Sequence, residues 1–331
     1  MDVELTKGEA IFDLPFWDDL VAAFPHRHVF ATRDWNRAWW EEFAGGKSLF
    51  GLTFMDPHPV AFAPLMTDRT VYGRRLRFLG GDDLTDYLGP IVSSDGALPG
   101  VTDALLSYLC DEVPDWQYIE ARCLPVPFGF AEHLVESADR RGMPFEIDQT
   151  DLTAVLPLPE DFETYIERLP GKKRHELRRK IRRFDREAPG WSLRSASANL
   201  DEDVHLFIEM HKGSEGLKGK FMLPERASFF ARVADALYPT GVLSLDFLEV
   251  DGAPIAATFS FVYDNVFYLY NSAYSKSFSS LAPGLMIVAR LIERSIHQGH
   301  LRFDFLRGRE RYKFDLGAEA IPLHAVKLQR D

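Results

Sequence analysis

Apolar positions along the chain recur in two rhythms, one of three to four residues and one of two, and their order lays out the elements. Trp35, Trp39 and Phe43 lie four apart within Asp34–Phe43, the spacing of one helix face, and Gly45-Gly46 stops the run. Short apolar or alternating runs at 49–54, 60–64 and 76–79 read as strands, separated by turn residues such as Asp56-Pro57 and Gly80-Gly81. Apolar residues at 101, 105, 109 and 113 predict a helix, 116–121 a strand, and 130–141 a further helix. The first half therefore runs strands, helix, strand.

The second half repeats that theme after a long basic helix over 162–187, interrupted at Pro170-Gly171, and an amphipathic one over 201–212. Runs at 242–249, 254–262 and 266–270 are joined by Asp251-Gly252 and Asp264-Asn265, tight-turn chemistry that predicts an antiparallel meander. A helix over 283–297 places Leu285, Val288, Ala289, Ile292 and Ile296 on one face, with Pro283 in its first turn and Gly299 at its stop. Strands are expected at 301–306 and 321–328, the latter closing the second sheet. A chain of 331 residues exceeds what one core usually organises. The repeated pattern predicts a diverged duplication with domains 1–150 and 151–331, the chain leaving the first near Pro144 and Leu156-Pro-Leu-Pro159.

Composition narrows the class. With 46% hydrophobic and 27% charged residues the chain is neither disordered, collagen-like nor a disulfide scaffold. Cys110 and Cys123 cannot form a CxxC knuckle, so no metal is expected, and they fit a reducing cytoplasm. The acidic N-terminus lacks the form of a secretion signal and no run approaches the length of a membrane span, so a cytoplasmic location is expected, compatible with peripheral membrane association. The net charge of −12 is uneven: residues 1–150 carry 12 Lys+Arg against 25 Asp+Glu, and residues 151–331 carry 26 against 25.

Familiar motifs fail one by one. Ala44-Gly-Gly-Lys-Ser48 has Glu41 where a phosphate loop needs glycine, and His175-Glu176 has Arg179 where a zinc-protease helix needs its second histidine. GxSxG and GxGxxG are both absent, so hydrolase, NTPase and dinucleotide readings lose support.

Four segments carry a resemblance: Asp251-Gly-Ala-Pro-Ile-Ala-Ala257, Tyr268-Leu-Tyr270, Ala282-Pro-Gly-Leu-Met286 and Phe303-Asp-Phe-Leu-Arg-Gly-Arg-Glu-Arg-Tyr-Lys-Phe314. Together they resemble the acetyltransferase family named for the CelD/BcsL cellulose-biosynthesis proteins, a branch of the GNAT superfamily similar to the Fem aminoacyltransferases. The resemblance covers about residues 150–320, and more loosely 30–92 through Trp39-Trp40, Ala63-Pro-Leu-Met66, Arg75-Leu-Arg-Phe-Leu-Gly80 and Asp86-Tyr-Leu-Gly-Pro90. It implies a mixed α/β (α+β) fold of two tandem GNAT-like domains, each a mainly antiparallel sheet flanked by helices. The implied reaction moves an acyl group, foremost acetyl, from acetyl-CoA or another acyl-CoA to an amine or hydroxyl without a metal. The family name adds a small-molecule or glycan-precursor acceptor in polysaccharide or cell-envelope synthesis. A Fem-like aminoacyl-tRNA-dependent transferase and a non-catalytic GNAT-fold binding module are the alternatives.

The resemblance also implies site residues. GNAT donors rest their pyrophosphate on the start of the helix after the fourth strand, which is Leu281, Ala282, Pro283, Gly284 and Leu285, with Tyr270 of the preceding strand assigned to the same site. The superfamily's Gln/Arg-x-x-Gly-x-Gly/Ala is reduced there to Gly284, and Pro283 removes an N–H donor. Lys313 is a candidate for stabilising the oxyanion, Tyr312 for protonating the thiolate and His211, ahead of the 213–220 loop, for general base. Asp304, alternating with Phe303 and Phe305, is expected to orient its neighbours rather than act as base, since an ordinary carboxylate is a weak base. Arg307 and Arg309 offer forked contacts to phosphate or carboxylate, and Asp86 and Tyr87 are acceptor-site candidates. Trp35, Trp39 and Trp40 read as core.

The segment 171–187 concentrates nine Lys+Arg and three Asp+Glu. A solvated helix with ion pairs is the ordinary reading; binding an acyl donor's phosphates, an acyl-carrier protein or an anionic sugar precursor comes next, and the acidic first half disfavours tRNA.

Overall fold

Alternation and turn chemistry do fold the meanders as their pattern requires, and the crossover helices bring one further strand to each. A computed structural model describes residues 1–113, 115–214 and 220–330. The chain divides into two units, Met1–Leu152 with Ile321–Asp331, and Thr153–Ala320.

The first unit contains β1 (Asp2–Lys7), α1 (Trp17–Ala23), α2 (Arg33–Phe43), β2 (Ser48–Asp56), β3 (His58–Thr70), β4 (Gly73–Phe78), β5 (Ile91–Val92), α3 (Leu98–Asp111), β6 (Tyr118–Pro125) and α4 (Phe130–Arg140). β7 (Phe145–Pro157) leads into the second unit, with α5 (Phe162–Arg168), α6 (Gly171–Glu187), β8 (Trp191–Ser195), α7 (Leu200–Lys212), α8 (Pro224–Leu237), β9 (Leu243–Val250), β10 (Ala253–Tyr263), β11 (Val266–Tyr274), α9 (Pro283–His297), β12 (Arg302–Arg307) and α10 (Arg311–Asp315); β13 (Glu319–Gln329) follows. The strand order is β1-β2-β3-β4-β6-β13 in the first unit, with β5 on β3, and β8-β9-β10-β11-β12-β7 in the second. Within each, the pair bridged by a crossover helix is parallel, β4 with β6 and β11 with β12.

One expectation is corrected. The segment 321–328 does not close the second sheet: it pairs antiparallel with β6, Leu328 opposite Ile119 and Leu323 opposite Pro125, and completes the first unit. Its inward residues Leu323, Val326 and Leu328 are fully buried there. The second unit takes its last strand from β7, where Leu156 lies opposite Phe303.

The second core is built on α9. Met286, Ile287, Leu291 and Ile292 are fully buried, and the facing strands contribute Phe267 and Phe303, stacked at 4.8 Å. Each such side chain stabilises the fold by roughly 1.5–3 kcal/mol. The helix is aimed by its basic residues. Arg294 forks onto Asp246, which is fully buried, at 2.6 and 2.7 Å, and Arg290 holds Asp185 of α6 at 2.5 Å while lying 4.5 Å over the Trp191 ring. α6 turns Leu177, Ile181 and Phe184 to the same core. Among the described residues, no helix is long and apolar enough to cross a membrane.

Candidate acyl-transfer site

The second unit opens where two parallel strands part. β11 and β12 are in register at Val266–Arg302, Phe267–Phe303 and Tyr268–Asp304, and at no later position among the described residues. Two local features cause this. On β11, Phe261 faces Tyr268 and Phe259 faces Asn271, so Leu269 and Tyr270 together oppose Ser260 in a bulge that interrupts the ladder. On β12, Asp304 Oδ1 accepts the Leu306 N–H at 2.8 Å and the Thr153 hydroxyl at 3.1 Å. That carboxylate takes the Leu306 amide for itself, and Leu306 is driven to φ 58°, a left-handed conformation costing about 1–2 kcal/mol for a leucine.

The turn beyond β12 is closed by Lys313. Only 3% exposed, its Nζ donates to Arg307 O at 2.8 Å and Leu306 O at 3.3 Å and pairs with Glu310 at 2.9 Å. All three ammonium hydrogens are thereby engaged, with Glu310 as the solvent-exposed partner, its side chain being 58% exposed. Gly308 sits at φ 125°, a backbone conformation that residues with a Cβ rarely adopt. Asp304 and Lys313 are the two ends of one folded turn.

α9 follows β11 through the turn Lys276–Leu281. Ala282 sits at φ 52°, and its carbonyl receives both Leu285 N–H and Met286 N–H at 3.0 Å, while its own N–H goes to Ser279 O at 3.0 Å. With Pro283 contributing none, Gly284 has the one amide of this turn without an acceptor among the described residues. The Tyr274 ring lies against it; a Cβ at Gly284 would stand 3.1 Å from that ring.

The nominated residues of this unit divide by role. Asp304, Tyr312, Lys313, Arg307 and Arg309 share the 304–313 turn, and Leu281–Leu285 cap the helix that follows β11. Tyr312 meets Phe305 edge-on at 6.1 Å and is 37% exposed; the protein packed around its phenol and the Glu310 carboxylate hold its pKa above the ordinary tyrosine value. It therefore stays protonated at neutral pH and able to donate. Tyr270 packs against Phe230 at 5.6 Å and Phe261 at 5.4 Å, and His211, 1% exposed, extends the same run of rings through Phe207. Of the 213–220 loop after His211, residues 215–219 lie outside the described residues. Tyr268, missed from sequence, stands in register with Asp304, and burial followed by that carboxylate raises its hydroxyl pKa. The bulge and the positive φ of Leu306 were also missed; the one cue was the break in apolar alternation at Tyr270-Asn271.

Asp86 and Tyr87 belong to the first unit and are 8% and 5% exposed. There β4 and β6 share only Arg75–Tyr118 and Leu76–Ile119, and β6 carries its own bulge with Cys123 at φ 55°. The space between them is filled. Leu88 N–H donates to Cys123 O at 3.1 Å, and Phe24, His28, Phe30, Tyr87, Phe128 and Phe130 leave a cavity of about 30 Å³. That volume suits one or two waters. His28 is pushed down to about 3 by burial and by His26 nearby.

Residues 171–314 match the model of an acetyltransferase (GNAT) domain. No curated protein matches the chain. Solved structures similar over its length include FemX, at 11% identity and TM-score 0.67 covering 98% of this chain and 96% of that one. A conserved protein of unknown function from Bacteroides thetaiotaomicron VPI-5482 is similar at 16% identity and TM-score 0.62, covering 99% and 100%. A tandem GNAT protein from the clavulanic acid biosynthesis pathway is similar at 12% identity and TM-score 0.52, covering 100% and 99%. At these identities the likeness is one of fold: a mixed α/β fold with GNAT topology in both units.

Proposed function

We propose that this protein is an acyltransferase whose working centre is the divergence of β11 and β12, moving an acyl group from a thioester such as acetyl-CoA or another acyl-CoA to an amine or hydroxyl. The observation that carries the reading is the opening itself. Among the described residues the register of β11 with β12 ends at Tyr268–Asp304, the bulge at Leu269–Tyr270 follows directly on β11, the Asp304–Lys313 turn follows on β12, and the first turn of α9 comes after β11.

In this reading the thioester carbonyl lies between the parted strands. The acceptor's nitrogen or oxygen attacks it, and the oxyanion is met by an amide of the bulge and by a Lys313 hydrogen released when Glu310 swings away. The C–S bond then breaks and the thiolate takes a proton from Tyr312, which is refilled from the acceptor by way of water. Asp304 holds the turn in place as a positioning residue. Holding donor and acceptor in register supplies much of the rate. A glycan-precursor acceptor in polysaccharide or cell-envelope synthesis is supported by the family resemblance. A Fem-like aminoacyl-tRNA donor is the second reading, favoured by the likeness to FemX over 98% of the chain.

Thiol release from acetyl-CoA in the presence of amine and hydroxyl acceptors, amino sugars included, tests the proposal. Release by the full chain that falls by about 10²-fold in Lys313→Ala supports it, the magnitude of losing one oxyanion donor. Unchanged release in that variant removes Lys313 from the chemistry. Absence of release and of binding with every thioester, set against binding of a tRNA pool, favours the second reading.

A further inference from the structure

The charge of α6 is sorted by position around the helix. Lys172, His175, Arg179, Arg182 and Arg186 are all exposed and follow one another at steps of three and four residues. They form one row on the crest opposite Leu177, Ile181 and Phe184, about 21 Å long at the helical rise. The other cations are engaged: Lys173 with Asp315 at 2.7 Å, Arg178 with Glu163, Lys180 with Glu176 at 3.1 Å, Arg183 with Glu187 at 2.9 Å, and Arg174 with the Glu167 carbonyl at 3.2 Å. On the crest, Lys172, Arg179 and Arg182 have no carboxylate partner among the described residues, and Arg186 only shares Glu187. A helix made basic merely for solubility has no reason to pair its flanks and leave a bare row along the top.

The helix that carries the row also packs near the proposed donor turn. α6 packs against the turn Lys276–Leu281, which runs directly into Ala282 and the first turn of α9. That turn is a poor nucleotide cradle: Pro283 lacks an N–H, Gly284 alone offers one without an acceptor among the described residues, and the Tyr274 ring leans on it. A pyrophosphate is held only weakly by such a turn, so that CoA alone binds it at high concentration.

Resting on the transfer reading above, we propose that the crest of α6 docks an acidic carrier protein that presents the acyl group as a thioester on a phosphopantetheine arm. Such a donor brings a single phosphodiester instead of the pyrophosphate and ribose phosphate of CoA, and recognition moves from the nucleotide to the protein surface. One partner helix with Asp or Glu every three to four residues matches the row, the arrangement that sets register between charged helices. The flanks argue against a nucleic-acid duplex, whose second strand would meet the exposed carboxylates of Glu163, Glu176 and Asp185. In the reaction the acyl carbon leaves the carrier's sulfur for the acceptor's nitrogen or oxygen, and the acceptor's proton ends on that sulfur, returning the carrier as free thiol.

The test is fluorescence anisotropy with a labelled acyl-carrier protein loaded with acetyl, titrated with the full chain. The wild type is compared with Lys172→Glu/Arg179→Glu/Arg182→Glu and with the milder triple Gln variant, each confirmed folded by its melting temperature. The expected result is saturable binding that weakens at least tenfold in the Glu variant, less in the Gln variant, and on raising salt from about 50 to 200 mM. No saturation with the wild type, or equal binding by the variants, overturns the proposal. So does row-dependent binding of a tRNA pool without binding of the carrier. Thiol release from free acetyl-CoA on the same preparation separates the two ideas: release without carrier binding sinks the docking surface and spares the transfer reading, whereas carrier binding without release from either donor sinks the transfer reading.

Discussion

The two units share one plan of strand order and differ in the gap between the parallel strands that flank the crossover helix. In both, the fifth strand of the order bulges at a residue with positive φ, Cys123 in the first and Leu306 in the second. In the first unit Leu88 reaches across to Cys123 O and a set of rings fills the gap to about 30 Å³. In the second, the equivalent register position to Ala121 is Asp304, whose carboxylate accepts the Leu306 N–H within the bulge and is anchored by Thr153. The same backbone thus carries a packed gap once and, in the proposed reading, a donor site once. What decides between them is a few side chains, so that in the proposed reading one plan recurs in both units and carries chemistry in the second alone.

Making the second unit resemble the first is the most damaging change. Asp304→Ala, which installs the residue found at Ala121, is expected to lower thiol release by more than about 10²-fold and to cost about 2–3 kcal/mol in urea unfolding, since a buried acceptor of two hydrogen bonds is lost. Full activity in this variant would show that the bulge does not depend on the carboxylate. Emptying the first unit acts on stability alone: Phe30→Ala, at a side chain 2% exposed, is expected to cost about 3–5 kcal/mol while leaving the KM for acetyl-CoA where it was. A large rise in that KM would place donor binding in the wrong unit.

Much of this plan was legible in the chain. Asp251-Gly252, Asp264-Asn265, Pro283 and Gly299 mark turns and caps by local chemistry, and the structure uses each of them. The exchange of final strands was not legible, because alternation in 321–328 says that a strand forms and nothing about its partner. Nor were the roles of Asp304 and Lys313 as ends of one turn, which arise from a leucine in a backbone region leucines avoid. β7 was missed because its first half, Phe145–Thr150, is exposed and mixes apolar with charged residues.

Acid sharpens the contrast between the units more gently. His28 is neutral and buried with its pKa near 3, while an unfolded chain protonates the same ring below about 6.5. Between those values the unfolded state holds the extra proton, so the first unit loses stability as pH falls, by about 2 kcal/mol at pH 5 relative to neutral. Replacing His28→Phe is expected to flatten that slope in urea titrations at several pH values; an unchanged slope would assign it elsewhere. The smallest effect is at the donor turn. Gly284→Val presses on the Tyr274 ring and should raise the donor KM about three- to tenfold with kcat nearly intact, read from steady-state thiol release.

Hydrogen exchange with and without millimolar acetyl-CoA asks the central question most directly: which of the two gaps receives the donor. Protection is predicted in peptides spanning 266–274 and 281–288, with no change across 73–79 and 118–125. Protection confined to the first unit, or none in either at saturating donor, would contradict the assignment of the open strands as the donor site.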